Sequence, residues 1–152
     1  MDVDSDEQDR MRRHRVRVDV AHRLCIGSLL PAALLIDSDL LSPHQVIDQA
    51  TGATVVHYAA HHGNLKFLRW LANKNQKFEY GIRDNYGLNL AHYAARMGHL
   101  PVLMFVAEQL GVDSGAKDRF GNTPLDLAVD QKHLYCFIYL YYARGERQLN
   151  TG

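Results

Sequence analysis

The residues best suited to chemistry in this chain are its nine histidines, because a neutral imidazole can bind a metal or accept a proton. His57 and His61 stand four residues apart, so on a helix they would face the same side, as the histidines of an H-E-x-x-H zinc site do. Tyr58 follows the first histidine in place of the glutamate, and no third ligand stands at a characteristic spacing. The pair therefore predicts no metal site.

No other residue pattern predicts catalysis. Cys25 and Cys136 are far apart and fit no C-x-x-C spacing, so we expect two reduced, buried thiols of an intracellular protein. The chain has no G-x-S-x-G elbow and no G-x-x-x-x-G-K-[ST] phosphate loop. Its formal net charge is zero, which argues against a general attraction to nucleic acid or anionic membrane. We expect no enzyme activity, no cofactor, no direct nucleic-acid contact and no membrane insertion.

A short sequence pattern that recurs at a fixed spacing accounts for several of the histidines. Gly52, Gly87 and Gly121 stand 35 and then 34 residues apart, and they open the segments GATVVHYAA, GLNLAHYAA and GNTPLDLA. Such a period is typical of stacked helical repeats. The segments resemble the ankyrin repeat family, whose signature is T-P-L-H-x-A in a unit of about 33 residues. The resemblance runs from about Ile47 to Tyr142.

This resemblance implies an all-α fold, a solenoid of stacked helix-turn-helix units with projecting β-turns. His57 and His92 occupy the signature histidine position, where the family uses the imidazole as a hydrogen-bonding bridge between repeats. Asp126 stands there in the third copy and resembles the T-P-L-D-L-A form of terminal repeats. The resemblance also implies that the protein binds other proteins and is not an enzyme.

Each unit carries residues suited to a turn and to a helix start. In Asp84–Gly87 and Asp118–Gly121, the aspartate favours the turn and the glycine supplies a positive φ. The segment Asp48–Gly52 is one residue longer, so we expect a bulge there. Polar side chains follow that can cap the inner helices, which should begin near Thr54, Asn89 and Thr123.

The ends and faces of the helices also follow the repeat. Gly63 and Gly98 should end the first two inner helices in the left-handed conformation, whereas Lys132 near the third position is a poorer terminator. Alanine pairs on the inner helices should let neighbouring units approach closely. The outer helices are apolar at helical spacing, which indicates a core between repeats.

The N-terminal segment is rich in charge. Acidic residues extend to Asp9, and arginines follow from Arg10 to Arg17. The pattern predicts a disordered, self-neutralising tail over residues 1–17; the alternative is a nuclear localisation signal or a contact for an acidic partner. The apolar run Leu24–Ile36 is too short to span a bilayer, and Asp37 follows where a signal-peptide cleavage site would be needed.

One repeat period before the first clear unit, the sequence predicts a degenerate N-terminal repeat. His22 stands 35 residues before His57, and Leu30 stands 35 residues before Leu65. We therefore expect an inner helix over residues 18–26 and an outer helix over 29–36, with Ser28 and Pro31 at its start. Terminal repeats are atypical because only one of their faces meets a neighbour.

The last predicted helix lacks a polar face toward solvent. Residues 134–142 are apolar or aromatic all round, although a terminal helix should be polar on its outer face. The degenerate segment, another chain or a further repeat would have to cover it. The predicted division of the chain is 1–17 tail, 18–47 degenerate repeat, 48–83, 84–117 and 118–144 repeats, and 145–152 tail.

The sequence thus predicts a cytoplasmic, or alternatively nuclear, adaptor that binds a protein partner through its turns and the concave face of its inner helices. Two alternatives are a regulatory or targeting segment of a larger enzyme or membrane protein, and a nuclear cofactor led by the arginine cluster. Arg and aromatic side chains should dominate the binding energy. The contact positions implied by the family register are Ala50, Thr51, Ala53, His61, His62, Asn85, Tyr86, Leu88, Arg96, Met97, Arg119, Phe120, Asn122, Asp130 and Gln131.

Overall fold

The computed structural model describes residues 3–25, 33, 36, 42–74 and 78–149 of the chain. Within these residues the chain forms three consecutive helix pairs, preceded by one long helix and a short hairpin. The predicted all-α solenoid of helix-turn-helix units is confirmed. The elements are α1 (Val3–Cys25), β1 (Val46–Asp48), β2 (Ala53–Thr54), α2 (Val55–His61), α3 (Leu65–Lys74), α4 (Leu90–Met97), α5 (Leu100–Glu108), α6 (Pro124–Asp130) and α7 (Leu134–Leu149).

The three inner helices α2, α4 and α6 begin directly after the residues predicted to cap them. Asn89 accepts a hydrogen bond from the His92 amide at 3.1 Å, and the Thr123 hydroxyl accepts one from the Asp126 amide at 3.4 Å. The Thr54 hydroxyl instead lies 2.9 Å from His57 Nδ1. Each cap satisfies amide or imidazole groups that would lack a partner at a bare helix start.

The inner helices end at equivalent places in the three units. Gly63 and Gly98 have φ values of 71° and 76°, and Lys132 takes the same left-handed conformation with a φ of 61°. The short connections that follow reverse the chain into the outer helices α3, α5 and α7. The third unit therefore keeps the geometry of the first two, although its terminator is not glycine.

The core lies between units. Inner helices stack in the order α1, α2, α4 and α6, and the outer helices stack beside them. Fully buried alanines, Ala59, Ala60, Ala94, Ala95 and Ala128, allow the inner helices to nest. The outer helices bury their apolar stripes against the stack, namely Phe67, Leu68, Leu71, Val102, Leu103, Val106, Cys136 and Leu140.

The first unit opens with an irregular hairpin, as its longer turn predicted. Strand β1 pairs antiparallel with β2, and the register shifts between Val46 and Asp48. Gly52 closes the turn, its amide donating to the Asp48 carbonyl at 2.8 Å. The extra residue is accommodated in the hairpin and leaves the start of α2 in the common register.

The sequence predicts a disordered tail over residues 1–17, whereas in the structure α1 begins at Val3. Asp4 and Asp6 lie in its first turn, where acidic side chains stabilise the helix N-terminus, and Asp9 pairs with Arg13 at 3.5 Å. Val20 is fully buried, and α1 packs against α2 and β1. Packing thus anchors the second half of α1, and the charged half extends the same helix outward.

Parts of the predicted N-terminal repeat lie outside the described residues. These are Ser28, Pro31 and most of the expected outer helix, of which only Ala33 and Ile36 are described; both are helical, and Ala33 is buried. The side chain of Cys25 is likewise outside the described part. Cys136 is a buried free thiol whose pKa is raised by burial. The boundaries of this unit stay a prediction.

Helix α7 is longer than predicted and leaves an apolar face open. It continues through Gly145 to Leu149, so the tail expected from residue 145 is helical over most of its length. The described part of the N-terminal segment packs at the opposite end of the stack and does not cover this face. Large exposed side chains on α7 are Leu134, Tyr135, Ile138, Tyr141 and Tyr142. No helix among the described residues is long and apolar enough to cross a membrane.

Candidate functional site

The two later turns share one internal architecture. Asp84 Oδ1 accepts hydrogen bonds from the amides of Tyr86 and Leu88, both at 2.9 Å. Asp118 Oδ1 does the same for Phe120 at 2.9 Å and for Asn122 at 2.8 Å. The carboxylate thus fixes the path of the turn and projects the residues at its tip.

Neighbouring turns are joined edge to edge. The Asn85 amide donates to the Thr51 carbonyl at 2.8 Å, and the Arg119 amide donates to the Tyr86 carbonyl at 2.9 Å. Arg83 adds a side-chain bond from Nη1 to the Lys117 carbonyl at 2.8 Å. These bonds hold the tips of the three turns in one row, and the two later turns project to the same side.

Two aromatic side chains stand at the tips of this row. The rings of Tyr86 and Phe120 stack with their centroids 6.5 Å apart and an angle of 23° between their planes. They nevertheless remain 43% and 74% exposed. Mutual packing therefore orients the two rings but leaves most of the Phe120 surface available for a contact.

A concave groove joins the first turn to the inner helices. It has a volume of about 250 Å³. His61 from α2 and Arg96 from α4 contribute to the same groove, so residues from two successive units meet there. Its lining consists of Asp48, Thr51, Ala53, Tyr58, His61, Tyr93, Arg96 and Met97.

Comparison with known protein families agrees with this geometry. The family model described as ankyrin repeats in three copies matches residues 26–118 and 76–150. The chain belongs to the ankyrin repeat family. Ankyrin repeats are generally protein-protein interaction modules and are typically not enzymes. A search of curated proteins gives no significant match.

The ankyrin signature histidines have structural partners. His92 Nε2 donates to the Asn122 carbonyl of the next unit at 3.0 Å, so the expected bridge between repeats is present. His57 is fully buried beside the Leu88 and Ile82 backbone, although its Nε2 makes no hydrogen bond of ordinary geometry among the described residues. Burial lowers the pKa of both imidazoles. No cluster of three or more potential metal ligands occurs in the described part of the chain.

The predicted ankyrin contact residues fall into two classes. Ala53 and Leu88 are only 2% and 8% exposed, so little of either side chain is available to a partner. Ala53 forms part of the groove floor, and Leu88 lies beneath its own turn, whose aspartate binds the Leu88 amide. The other predicted positions are exposed or half-buried: Ala50, Thr51, His61, His62, Asn85, Tyr86, Arg96, Met97, Arg119, Phe120, Asn122, Asp130 and Gln131.

The sequence prediction missed three groove residues, Asp48, Tyr58 and Tyr93. The hydroxyl of Tyr93 donates to Asp84 Oδ2 at 2.7 Å, and burial together with this carboxylate raises the pKa of the phenol. Hydrogen bonds, first from the Thr51 side chain and also from Tyr58, lower the pKa of Asp48. The signal was available, because each tyrosine directly follows a signature histidine of the ankyrin repeat.

Proposed function

We propose that this chain is an adaptor that binds a protein partner across the turn tips and the groove between its inner helices. The observation that carries the proposal is the continuity of the two features. Thr51 lines the groove and also accepts the backbone bond from Asn85, so one surface runs from the groove to the row of turns.

The chemistry of that surface suits protein recognition. Tyr86 and Phe120 present aromatic area, and Arg96 and Arg119 are exposed cations that can donate several hydrogen bonds each. Aromatic and arginine side chains are the residue types that most often dominate interface energies. Because the turn tips are fixed by backbone bonds, little ordering entropy would be lost when they bind.

The first experiment is to find the partner. The intact chain and a Tyr86→Ala/Phe120→Ala double variant are immobilised side by side, and proteins retained by the first and lost by the second are identified. Single alanine variants of Tyr86, Arg96, Arg119 and Phe120 are then titrated against the recovered protein. We expect at least one of them to lose about 2 kcal/mol of binding free energy with helicity unchanged.

The control set lies on the opposite, outer side of the stack. Lys66 and Arg69 are exposed on α3, and Arg69 stacks over the Phe105 ring at 5.8 Å. Their alanine variants should bind the partner as the parent chain does. If this outer set abolishes binding while the turn set leaves it unchanged, the proposed surface is wrong.

A further inference from the structure

Arginine and histidine side chains from two units converge at one end of the groove. His61 and His62 end α2, and their rings meet edge to face with centroids 4.6 Å apart. Arg96 lies near the end of α4, and His99 follows it. His99 Nε2 donates to the His61 carbonyl at 2.9 Å, which ties the two units together at this point.

These groups act on one another. Burial is the main cause that lowers the pKa of His61, and the nearby His62, Arg96 and His99 lower it further. Burial and His99 also lower the pKa of His62. Burial and the neighbouring basic groups therefore both disfavour the protonated form of His61, and a bound carboxylate would favour it.

Asp48 contributes a carboxylate to the groove lining, and like Asp84 it is held by hydrogen bonds within its own turn. Asp48 accepts bonds from the Ala50 amide at 2.9 Å and from the Thr51 hydroxyl at 2.8 Å. Asp84 holds its turn amides and the Tyr93 hydroxyl. Among the described residues, no ion pair joins Arg96 or His61 to a carboxylate. The positive charge of Arg96 is thus available to a partner.

Apolar and aromatic surface lies beside this charge. The Tyr93 ring is 6.1 Å from that of His61, and the Tyr58 ring is 6.4 Å from it, measured between centroids. Met97 is 39% exposed at the rim. One unit further along, the position equivalent to Arg96 carries Asp130, so the cationic surface ends with the second unit.

We propose that this groove binds an acidic segment of the partner. Asp or Glu carboxylates pair with Arg96 and with the protonated imidazoles of His61 and His62, and an apolar side chain packs against Met97 and the tyrosines. The inference rests on the proposed function and specifies the partner's chemistry. The segment crosses the first two units and avoids Asp130 of the third.

Binding should strengthen on mild acidification, because a bound carboxylate favours the protonated imidazoles of His61 and His62. The groups that face them are His57 and Tyr58 on α2, Asp48 on β1, Tyr93 and Arg96 on α4, His99 after α4, and Asp84 in the second turn. Of these, the histidines are the groups with ordinary pKa values near neutrality, so a rise in affinity from pH about 7.5 to about 6 would report on them.

The test uses the full chain and three fluorescein-labelled synthetic peptides of equal length. One alternates Glu with Leu, the second has Gln in place of Glu, and the third has Lys. We expect binding of the Glu peptide alone, weakened by added salt, with a dissociation constant that falls on acidification. Arg96→Gln should raise that constant about tenfold or more, since a hydrogen bond to a charged group is lost.

The matched control is Arg69→Gln, which removes an exposed arginine from the outer side and should leave peptide affinity unchanged. A His61→Gln/His62→Gln variant should lose the gain on acidification. Thermal unfolding of each variant verifies folding before titration.

The acidic specificity is overturned if the Gln or Lys peptide binds as well as the Glu peptide, if none binds, or if Arg96→Gln has no effect. Tighter binding of a single-stranded oligonucleotide of equal charge would overturn the assignment to a peptide. If the Glu peptide does not bind but the Tyr86 and Phe120 variants bind the recovered partner more weakly, the proposed function stands and this inference is wrong. If the peptide binds as expected but alanine substitution of Tyr86 or Phe120 leaves binding of the recovered partner unchanged, the groove is supported and the wider surface is wrong.

Discussion

At the scale of single residues, Asn89 and His92 show how one polar pair can join three segments. Asn89 Nδ2 donates to the Asp113 carbonyl at 2.9 Å, and the Asn89 amide donates to His92 Nδ1 at 3.2 Å. His92 Nε2 then donates to Asn122. Because a carbonyl only accepts, Nε2 carries the proton in this contact, while Nδ1 lies 2.8 Å from Asn89 Oδ1.

The contrast between His92 and His57 gives a prediction with an internal control. Both are fully buried at the same place in their units, but His92 Nε2 makes a hydrogen bond to the next unit, whereas His57 Nε2 lies near the Leu88 backbone without a bond of ordinary geometry. His92→Ala and His57→Ala should leave similar cavities. His92→Ala should also leave the Asn122 carbonyl without its hydrogen bond. We expect His92→Ala to lower the free energy of unfolding by about 1 kcal/mol more than His57→Ala does. Urea unfolding of the two variants measures the difference, and equal losses would show that the bridge contributes nothing.

At the scale of elements, the helix termini decide the shape of each unit. Thr123 and Asp126 form a reciprocal cap at the start of α6, in which the Asp126 carboxylate accepts from the Thr123 amide at 2.8 Å and from its hydroxyl at 2.9 Å. These bonds lower the pKa of Asp126. Aspartate thereby serves here the capping role that histidine serves at the starts of α2 and α4.

The end of α6 carries a strain that can be relieved. Lys132 has a φ of 61°, where a β-carbon costs about 1–2 kcal/mol, and glycine occupies the equivalent place after α2 and α4. We expect Lys132→Gly to raise the free energy of unfolding by about 1 kcal/mol. The adjacent Gln131 is also exposed but has a φ of −89°, so Gln131→Gly should instead lower stability by about 0.5–1 kcal/mol. Thermal unfolding of the pair checks both signs; a loss of stability in Lys132→Gly would contradict the strain argument.

At the scale of the whole molecule, stability comes from nearest-neighbour packing of units. The inner helices stack in sequence order, so each unit mainly meets the one before it and the one after it. Buried histidines are part of this packing in two successive units, at His57 and His92. Their protonation should therefore weaken the stack as a whole.

The pH dependence of stability follows from four histidines. Burial is the main cause that lowers the pKa values of His57, His61, His62 and His92 below the ordinary 6.5. As pH falls through 6.5, these histidines bind protons in the unfolded chain but remain neutral in the folded chain. The free energy of unfolding therefore decreases on acidification. Urea unfolding should give a constant stability above pH about 7.5 and a decline from pH about 6.5 downward. A His57→Gln/His92→Gln variant should show a shallower decline, and an unchanged slope would rule out a contribution from these two imidazoles.

The sequence by itself determined the features that depend on close neighbours along the chain. A turn such as Asp84–Gly87 and a cap such as Asn89 need only residues within about four positions, so type and spacing predicted them. The repetition of these local signals at a fixed period then indicated the stacked architecture. The same register placed Tyr86 and Phe120 at successive turn tips, where their rings do stack on each other.

Only the tertiary structure decided what depends on contacts between units. The local charge pattern predicted a disordered tail, but the burial of Val20 and the packing of α1 on α2 anchor a helix that begins at Val3. Leu88 follows a surface turn and is nevertheless buried. His61 and Arg96 stand 35 residues apart in sequence and meet in one groove, because neighbouring inner helices lie side by side. The period could predict that the units stack. The charge and shape of the groove, however, depend on which side chains of the two units line it together.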